Sequence, residues 1–290
     1  MIAKLRSVPQ LRSVSPQDLS PIQSGTEDVK KFKLRHQDLD LFVKDIADNE
    51  RVVHERLQEL DLRHVPRVFF PELLSENVLV CEFVAGPRCS SPILEDSLIV
   101  EYARIQNHLG TAEPAEVYSK ARDFFRGAVF HKIEKGKENI AQLPMQERGK
   151  FAPLLEIVAA VEKKREWTEA AFDQVPFGWA HNDFREANIL QSDRQMIVDW
   201  GSSYGLQPFL DDLAPFLIVT PEKLDLFSKH SALGQRRSRE EMLQWLALSA
   251  FAKFAGFFVY VFDIQKESGV PWDTFLDYHT AKFKSITWIP

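Results

Sequence analysis

The chain has 290 residues, 44% hydrophobic and 27% charged, a globular composition that excludes disordered and low-complexity classes. That length accommodates one large domain or two modest ones. Thirty-six lysines and arginines against 42 aspartates and glutamates give a net charge of −6, the reverse of the basic excess of a general nucleic-acid binder.

Residues 1–23 are polar with three prolines and are expected to cover the surface. The start, Met1-Ile-Ala-Lys-Leu-Arg-Ser-Val-Pro9, lacks the apolar core of a signal peptide. Over residues 26–44, Val29, Phe32 and Leu34 and then Leu39, Leu41 and Val43 alternate around His36-Gln37-Asp38, which predicts a hairpin followed by another strand. From Asp48 the spacing becomes helical through Val53, Leu57 and Leu60, with Asp48 or Asn49 as N-cap. Pro66 and Pro71 bracket a short extended run, residues 78–84 form a strand, and Ala85-Gly86-Pro87 breaks it. Two cysteines, Cys81 and Cys89, with no C-x-x-C pair, exclude a disulfide framework and a zinc ribbon, and read as thiols of a reducing compartment.

Beyond residue 95 the pattern is mainly helical, over 96–110, 115–135 and 152–173, interrupted by a compact strand-and-turn unit at 179–205. The apolar segment from Met242 to Phe262 is nearly long enough to span a membrane. Lys253 in its middle favours a buried core helix over a span, so a cytoplasmic protein is expected. The organisation is α+β: a small β-rich part over 1–84, joined through Glu82–Gly86 to a larger, mainly helical part over 85–290.

The chemistry concentrates in Trp179-Ala-His181-Asn-Asp183-Phe-Arg-Glu-Ala-Asn188-Ile-Leu190 and Met196-Ile-Val-Asp199-Trp-Gly201. Ile189-Leu190 and Met196–Val198 flank a polar turn and read as a β-hairpin. Asp183 and Asn188 precede its first strand and Asp199 follows its second, so the three side chains can meet at its open end. Two carboxylates and an amide suit a hard cation such as Mg²⁺, together with phosphate oxygens and water.

H-x-D-x-x-x-x-N followed by D-x-G is a phosphoryl-transfer pattern. With Asn-Ile-Leu190, Val-Asp-Trp200 and Asp212-Leu-Ala214, it resembles the aminoglycoside phosphotransferase and choline kinase group, small-molecule kinases of protein-kinase-like two-lobe fold. Asn182 in place of the arginine of H-R-D, and the lack of an A-P-E motif, lead away from protein kinases. The resemblance implies ATP and Mg²⁺, with Asp183 as catalytic base, Asn188 and Asp199 as metal ligands, and His181 as the structural brace of the loop. It implies Lys44 as the phosphate-holding lysine, and a helix glutamate to orient it. Glu50 is favoured because it shares an inward face with Val53 and Leu57; Glu55 is the competitor. The phosphate loop is thin, only Ser24-Gly25-Thr26, so Gly25 and Thr26 are its candidates. Adenine is expected on the backbone around Glu82 and Val84.

The expected activity is transfer of the γ-phosphoryl group of ATP to a hydroxyl of a small molecule, either an antibiotic or an amino-alcohol- or sugar-like metabolite. No nucleic-acid or membrane partner is expected. The alternative keeps the fold as a pseudokinase or nucleotide-binding scaffold. A protein kinase and a metal-dependent hydrolase fit less of the pattern. Trp245, Phe257, Tyr260, Asp263, Asp273 and Trp288 are candidate acceptor contacts, although aromatics at helical spacing are more often core. Arg185 is a candidate contact to the transferred phosphoryl group or to an anionic substrate.

Overall fold

The computed structural model describes residues 1–22, 31–89, 93–110, 115–214 and 221–283. The chain runs through helix α1 (Ile2–Arg6), strands β1 (Leu19–Pro21), β2 (Lys31–His36) and β3 (Leu39–Asp45), helix α2 (Asp48–Leu57) and strand β4 (Val78–Glu82). Helices α3 (Asp96–Leu109), α4 (Ala115–Ala141), α5 (Met145–Arg148), α6 (Ala152–Glu162) and α7 (Arg165–Phe172) follow. Strands β5 (Phe177–Ala180), β6 (Ile189–Gln191), β7 (Gln195–Ile197) and β8 (Tyr204–Pro208) precede α8 (Pro221–His230), α9 (Arg239–Val259), α10 (Val261–Ser268) and α11 (Trp272–Phe283).

Contacts group the chain into two units, 1–110 with 181–204, and 111–180 with 205–290. Contacts thus cluster along a different line from the expected boundary at 84/85. The reason lies in backbone hydrogen bonds. Cys89 N–H donates to Ile189 O at 2.7 Å, Gln191 N–H to Pro87 O at 2.9 Å and Ile197 N–H to His64 O at 2.7 Å, so the β6–β7 hairpin belongs to the first unit.

In the first unit, β1-β2-β3-β4 form an antiparallel sheet in that order. A two-residue turn at Gln37-Asp38, with Gln37 at φ 53°, pairs His36 with Leu39 and sets the register back to Lys31 opposite Lys44. Alternation then gives each face its task. Leu34, Leu41, Val43, Val78 and Val80 form one core face. Phe42, Lys44, Leu79 and Cys81 line a cavity on the other.

The N-terminal residues depart from the expected polar cover. Leu5, Val8, Leu11 and Val14 are buried against the sheet's core face. Their strict spacing of three suits a short helix followed by 3₁₀ turns, Pro9–Leu11 and Pro16–Asp18. Each buried Leu or Val contributes about 1.5–3 kcal/mol, so this segment is part of the sheet's core.

In the second unit, α9 is the centre, with buried side chains all round, including Phe251, Phe254 and Phe258. Ser238 caps it in a box with Glu241. Among the described residues, α9 alone is long and apolar enough to cross a membrane, and 72% of its apolar window is buried within the protein. Lys253 finds its counterion there, Asp211 Oδ2 at 2.6 Å.

Candidate active site

Every element of the site lies in the first unit. The strand β3 ends in a run buried on both faces, Val43-Lys44, and carries the Lys44 ammonium into the cavity. The helix α2 places Glu50, Val53 and Leu57 on its buried face. Lys44 Nζ donates to Glu50 Oε1 at 2.9 Å and Oε2 at 3.0 Å. Glu55 instead pairs with Arg51 on the helix surface at 2.8 Å. Lys44 also reaches Asp199 Oδ1 at 2.8 Å, so it bridges two carboxylates.

Burial opposes the Lys44 charge, but Glu50 and Asp199 outweigh it and hold the ammonium above its usual range. Burial likewise opposes the Glu50 carboxylate. His54, 3.9 Å away, and Lys44 prevail and keep its pKa below the usual value. Asp199 is also held low, since Lys44 and then Lys31 overcome its burial. The result is a charged network within one wall. Gly201 makes room for it. A Cβ there would stand 3.0 Å from Glu50 Oε2 and 3.5 Å from Lys44 Nζ.

The other half of the site grows from the β6–β7 hairpin, whose register pairs Ile189 with Ile197 and Leu190 with Met196. His181 is buried, and its Nε2–H donates to Val198 O at 3.1 Å. It packs on Trp200 with ring centroids 4.6 Å apart. The loop start is thereby fastened to the residue before Asp199. Asn182 and Asp199 both take left-handed backbone, φ 65° and 63°. Asn tolerates that region better than most residues, which accounts physically for Asn between His181 and Asp183.

Asn188 is buried and donates both amide hydrogens to Asp183, to its carbonyl at 2.8 Å and its Oδ2 at 2.7 Å. That leaves Asn188 Oδ1 as the atom it offers a cation. Asp183 Oδ1 meets Arg185 Nε at 2.9 Å. Asp183, Asn188, Asp199, Lys44 and Glu50 line one cavity of about 570 Å³, together with Phe42, Leu79, Cys81 and the segment 82–84.

Two carboxylates, an amide oxygen and room for phosphate fit a magnesium ion, which takes few protein ligands. Among the described residues no cluster of three His, Cys, Asp or Glu side chains offers a self-sufficient metal site, so substrate oxygens would have to complete the coordination. In the segment leaving β4, Glu82 N–H donates to Arg67 O at 2.8 Å and Phe83 N–H to Asp40 O at 3.2 Å. The segment Glu82-Phe83-Val84 is thereby held along the cavity it lines. Gly86 is required next to them, because a Cβ would overlap the Gln191 carbonyl.

Gly25 and Thr26 lie outside the described residues, as does Trp288. The other acceptor candidates lie in the second unit. Trp245 is buried edge-on to Phe209, and Phe257 is buried in a stack on His279. Tyr260, Asp263 and Asp273 are exposed. Sequence reasoning missed Lys31, whose Nζ lies 3.4 Å from Asp199 Oδ2. The signal was available: a two-residue turn at 37–38 puts residue 31 opposite 44.

The phosphotransferase enzyme family model matches residues 18–242. No curated protein matches the chain significantly in sequence. Among solved structures, a spectinomycin phosphotransferase bound to AMP is similar, with TM-score 0.57 and 12% identity, covering 93% of this chain and 92% of that one. An ethanolamine kinase from Plasmodium vivax gives TM-score 0.53 and 12% identity, covering 98% and 90%. A choline kinase from Cryptosporidium parvum Iowa II gives 0.51 and 14%, covering 99% and 98%. The fold is thus that of the protein-kinase-like small-molecule kinases.

Proposed function

The chain belongs to the phosphotransferase enzyme family, and on that premise we propose that it transfers the γ-phosphoryl group of ATP to a hydroxyl of a small molecule, with Mg²⁺. The observation that carries this reading is the convergence in one cavity of the buried Lys44–Glu50–Asp199 chain and the Asn188–Asp183 pair. In this reading residues 1–84 serve the nucleotide, and 85–290 supply the catalytic loop, the metal ligands and the acceptor surface.

Lys44, kept charged and aimed by Glu50, holds phosphate oxygens. Gly25 and Thr26 approach the same phosphates. The Glu82 carbonyl and Val84 N–H receive the base. Asn188 and Asp199 would hold the magnesium ion, which when bound supplies charge neutralisation at the transferring group. Asp183, fixed by Asn188, aligns the acceptor hydroxyl and accepts its proton as the oxygen bonds to phosphorus. Release of Arg185 from Asp183 Oδ1 opens that oxygen to the acceptor. Positioning and preorganised charge do the catalysis. Dependence on ATP, and two buried cysteines outside any disulfide, suit the cytoplasm. Spectinomycin belongs to a neighbour and choline to another; for this chain the acceptor class is an antibiotic or an amino-alcohol- or sugar-like metabolite.

The test is a thermal-shift titration with ATP and GTP, each with and without Mg²⁺, on wild type and Asp199→Ala, followed by turnover on hydroxyl acceptors. A ligand that binds only the folded state raises the melting temperature. A Mg²⁺-dependent rise that Asp199→Ala loses supports the reading. Asp183→Ala should keep that rise and lower turnover by about 10²–10⁴-fold, the range of a general base. Binding without turnover on any acceptor would favour the scaffold reading, for which the Arg185–Asp183 pair is the resting state. No rise with any nucleotide would overturn the nucleotide site.

A further inference from the structure

We propose that Lys31 is a second phosphate-binding lysine, so that the sheet offers the nucleotide a paired cationic grip, one ammonium from β2 and one from β3. The proposal rests on the nucleotide reading above and adds to it a residue which that reading does not use.

The register is the first argument. Lys31 and Lys44 are direct cross-strand partners on the cavity face. Like charges directly opposite are destabilising, yet Lys31 is not turned out to solvent. Its side chain is 21% exposed and points to Asp199, whereas Lys33, two residues along the same face, is 37% exposed and pairs with Asp40 at 2.8 Å.

The second argument is the sharing of Asp199. Its Oδ1 faces Lys44 and its Oδ2 faces Lys31. A divalent cation held by Asp199 would compete with both ammoniums for its oxygens. Lys44 keeps Glu50. Among the described residues, Asp199 is the only carboxylate within ion-pair distance of Lys31. Lys31 then stands half-buried beside another lysine without a counterion, and a phosphate oxygen supplies one.

The third argument is the thin loop. Between Ile22 and Lys31 the sequence has one glycine, Gly25, and two acids, Glu27 and Asp28. A cradle of backbone N–H groups favours glycine, so a side-chain cation compensates for what the loop lacks.

The experiment measures the affinities of ATP, ADP and adenosine, with Mg²⁺, for wild type, Lys31→Met and Lys31→Arg by calorimetry, with the melting temperature of each protein alone. Lys31→Met should weaken ATP and ADP about tenfold, the equivalent of about 1.4 kcal/mol, and leave adenosine within about twofold. Lys31→Arg should restore most of the loss. Without ligand, Lys31→Met should melt within a few degrees of wild type, because the lost Lys31–Asp199 pair and the relieved repulsion from Lys44 oppose one another. Equal affinity of Lys31→Met and wild type for ATP would overturn the proposal alone. So would an equal loss for ATP and adenosine, which would make Lys31 a support of the fold. A wild type that binds none of the three would overturn the nucleotide reading and this proposal with it.

Discussion

Each unit pairs a lysine with a buried carboxylate, and the two pairs behave oppositely. In the first unit, Glu50 is 3% exposed at its side chain and is held below the usual carboxylate range. In the second, Asp211 is 4% exposed and is pushed above it. Burial is the leading influence on both and favours the neutral acid in both. What differs is the company. Glu50 receives Lys44 on both oxygens and has His54 nearby. Asp211 has Lys253 on one oxygen and Asp212 next in the chain. Several donors around a buried carboxylate favour its charged form over the neutral one, and here that happens at the site.

The comparison breaks most visibly when each lysine is removed. Lys44→Met should lower kcat/KM by about 10²–10³-fold, the scale of losing one preorganised charge. Lys253→Met should leave kcat/KM within about threefold and instead destabilise the protein by about 1–3 kcal/mol, the cost of a buried acceptor without its partner. Steady-state kinetics and denaturant unfolding on both variants check this. An inactive Lys253→Met of normal stability would show that the second pair also serves the reaction.

The sheet and the hairpin were legible because their signals are local. Alternation around His36–Asp38 and the apolar runs at 189–190 and 196–198 each needed only short-range pairing. The D-x-G glycine and the inward face of α2 were visible for the same reason. Lys31 was missed because its meaning comes from strand register, a nonlocal property, although the turn implied it. The N-terminal residues were misjudged because their apolar positions, Leu5, Val8, Leu11 and Val14, are diluted among polar residues and prolines. A spacing of three fits neither the helical period nor strand alternation. The acceptor candidates in the second unit carry a weaker signal for a different reason. Aromatic residues at helical spacing serve packing as well as binding, and composition does not separate the two.

A pH series sharpens the comparison further. Glu50 and Asp199 have lowered pKa values, so the unfolded chain binds more protons just below their usual pKa. Their contribution is complete above about 4.5 and is lost as pH falls through the lowered folded values. Asp211 has a raised value, so the folded state holds the extra proton between 3.8 and that value, and stability falls as pH rises through that window. Glu50→Gln should flatten the acid limb of a melting-temperature profile. Asp211→Asn should remove the decline above it. Profiles unchanged in both variants would mean that neither carboxylate is coupled to folding as its surroundings require.

The smallest expected effect concerns the thiol in the same wall as Lys44. Cys81 is buried, and its thiol is pushed up to about 12, by burial first and then by the charges of Glu82 and Glu50, against the pull of Lys44. The lysine that keeps Glu50 ionised thus does not offset burial at Cys81. At pH 8 the thiolate fraction is on the order of 10⁻⁴, and the thiolate is the reactive form. Alkylation of Cys81 in the native protein, followed by peptide mass spectrometry, should therefore run at least about a hundredfold slower than for a free cysteine, and denaturant should restore the ordinary rate. Fast labelling of the native thiol would mean that the charge of Lys44 spreads through the cavity wall and outweighs burial at Cys81.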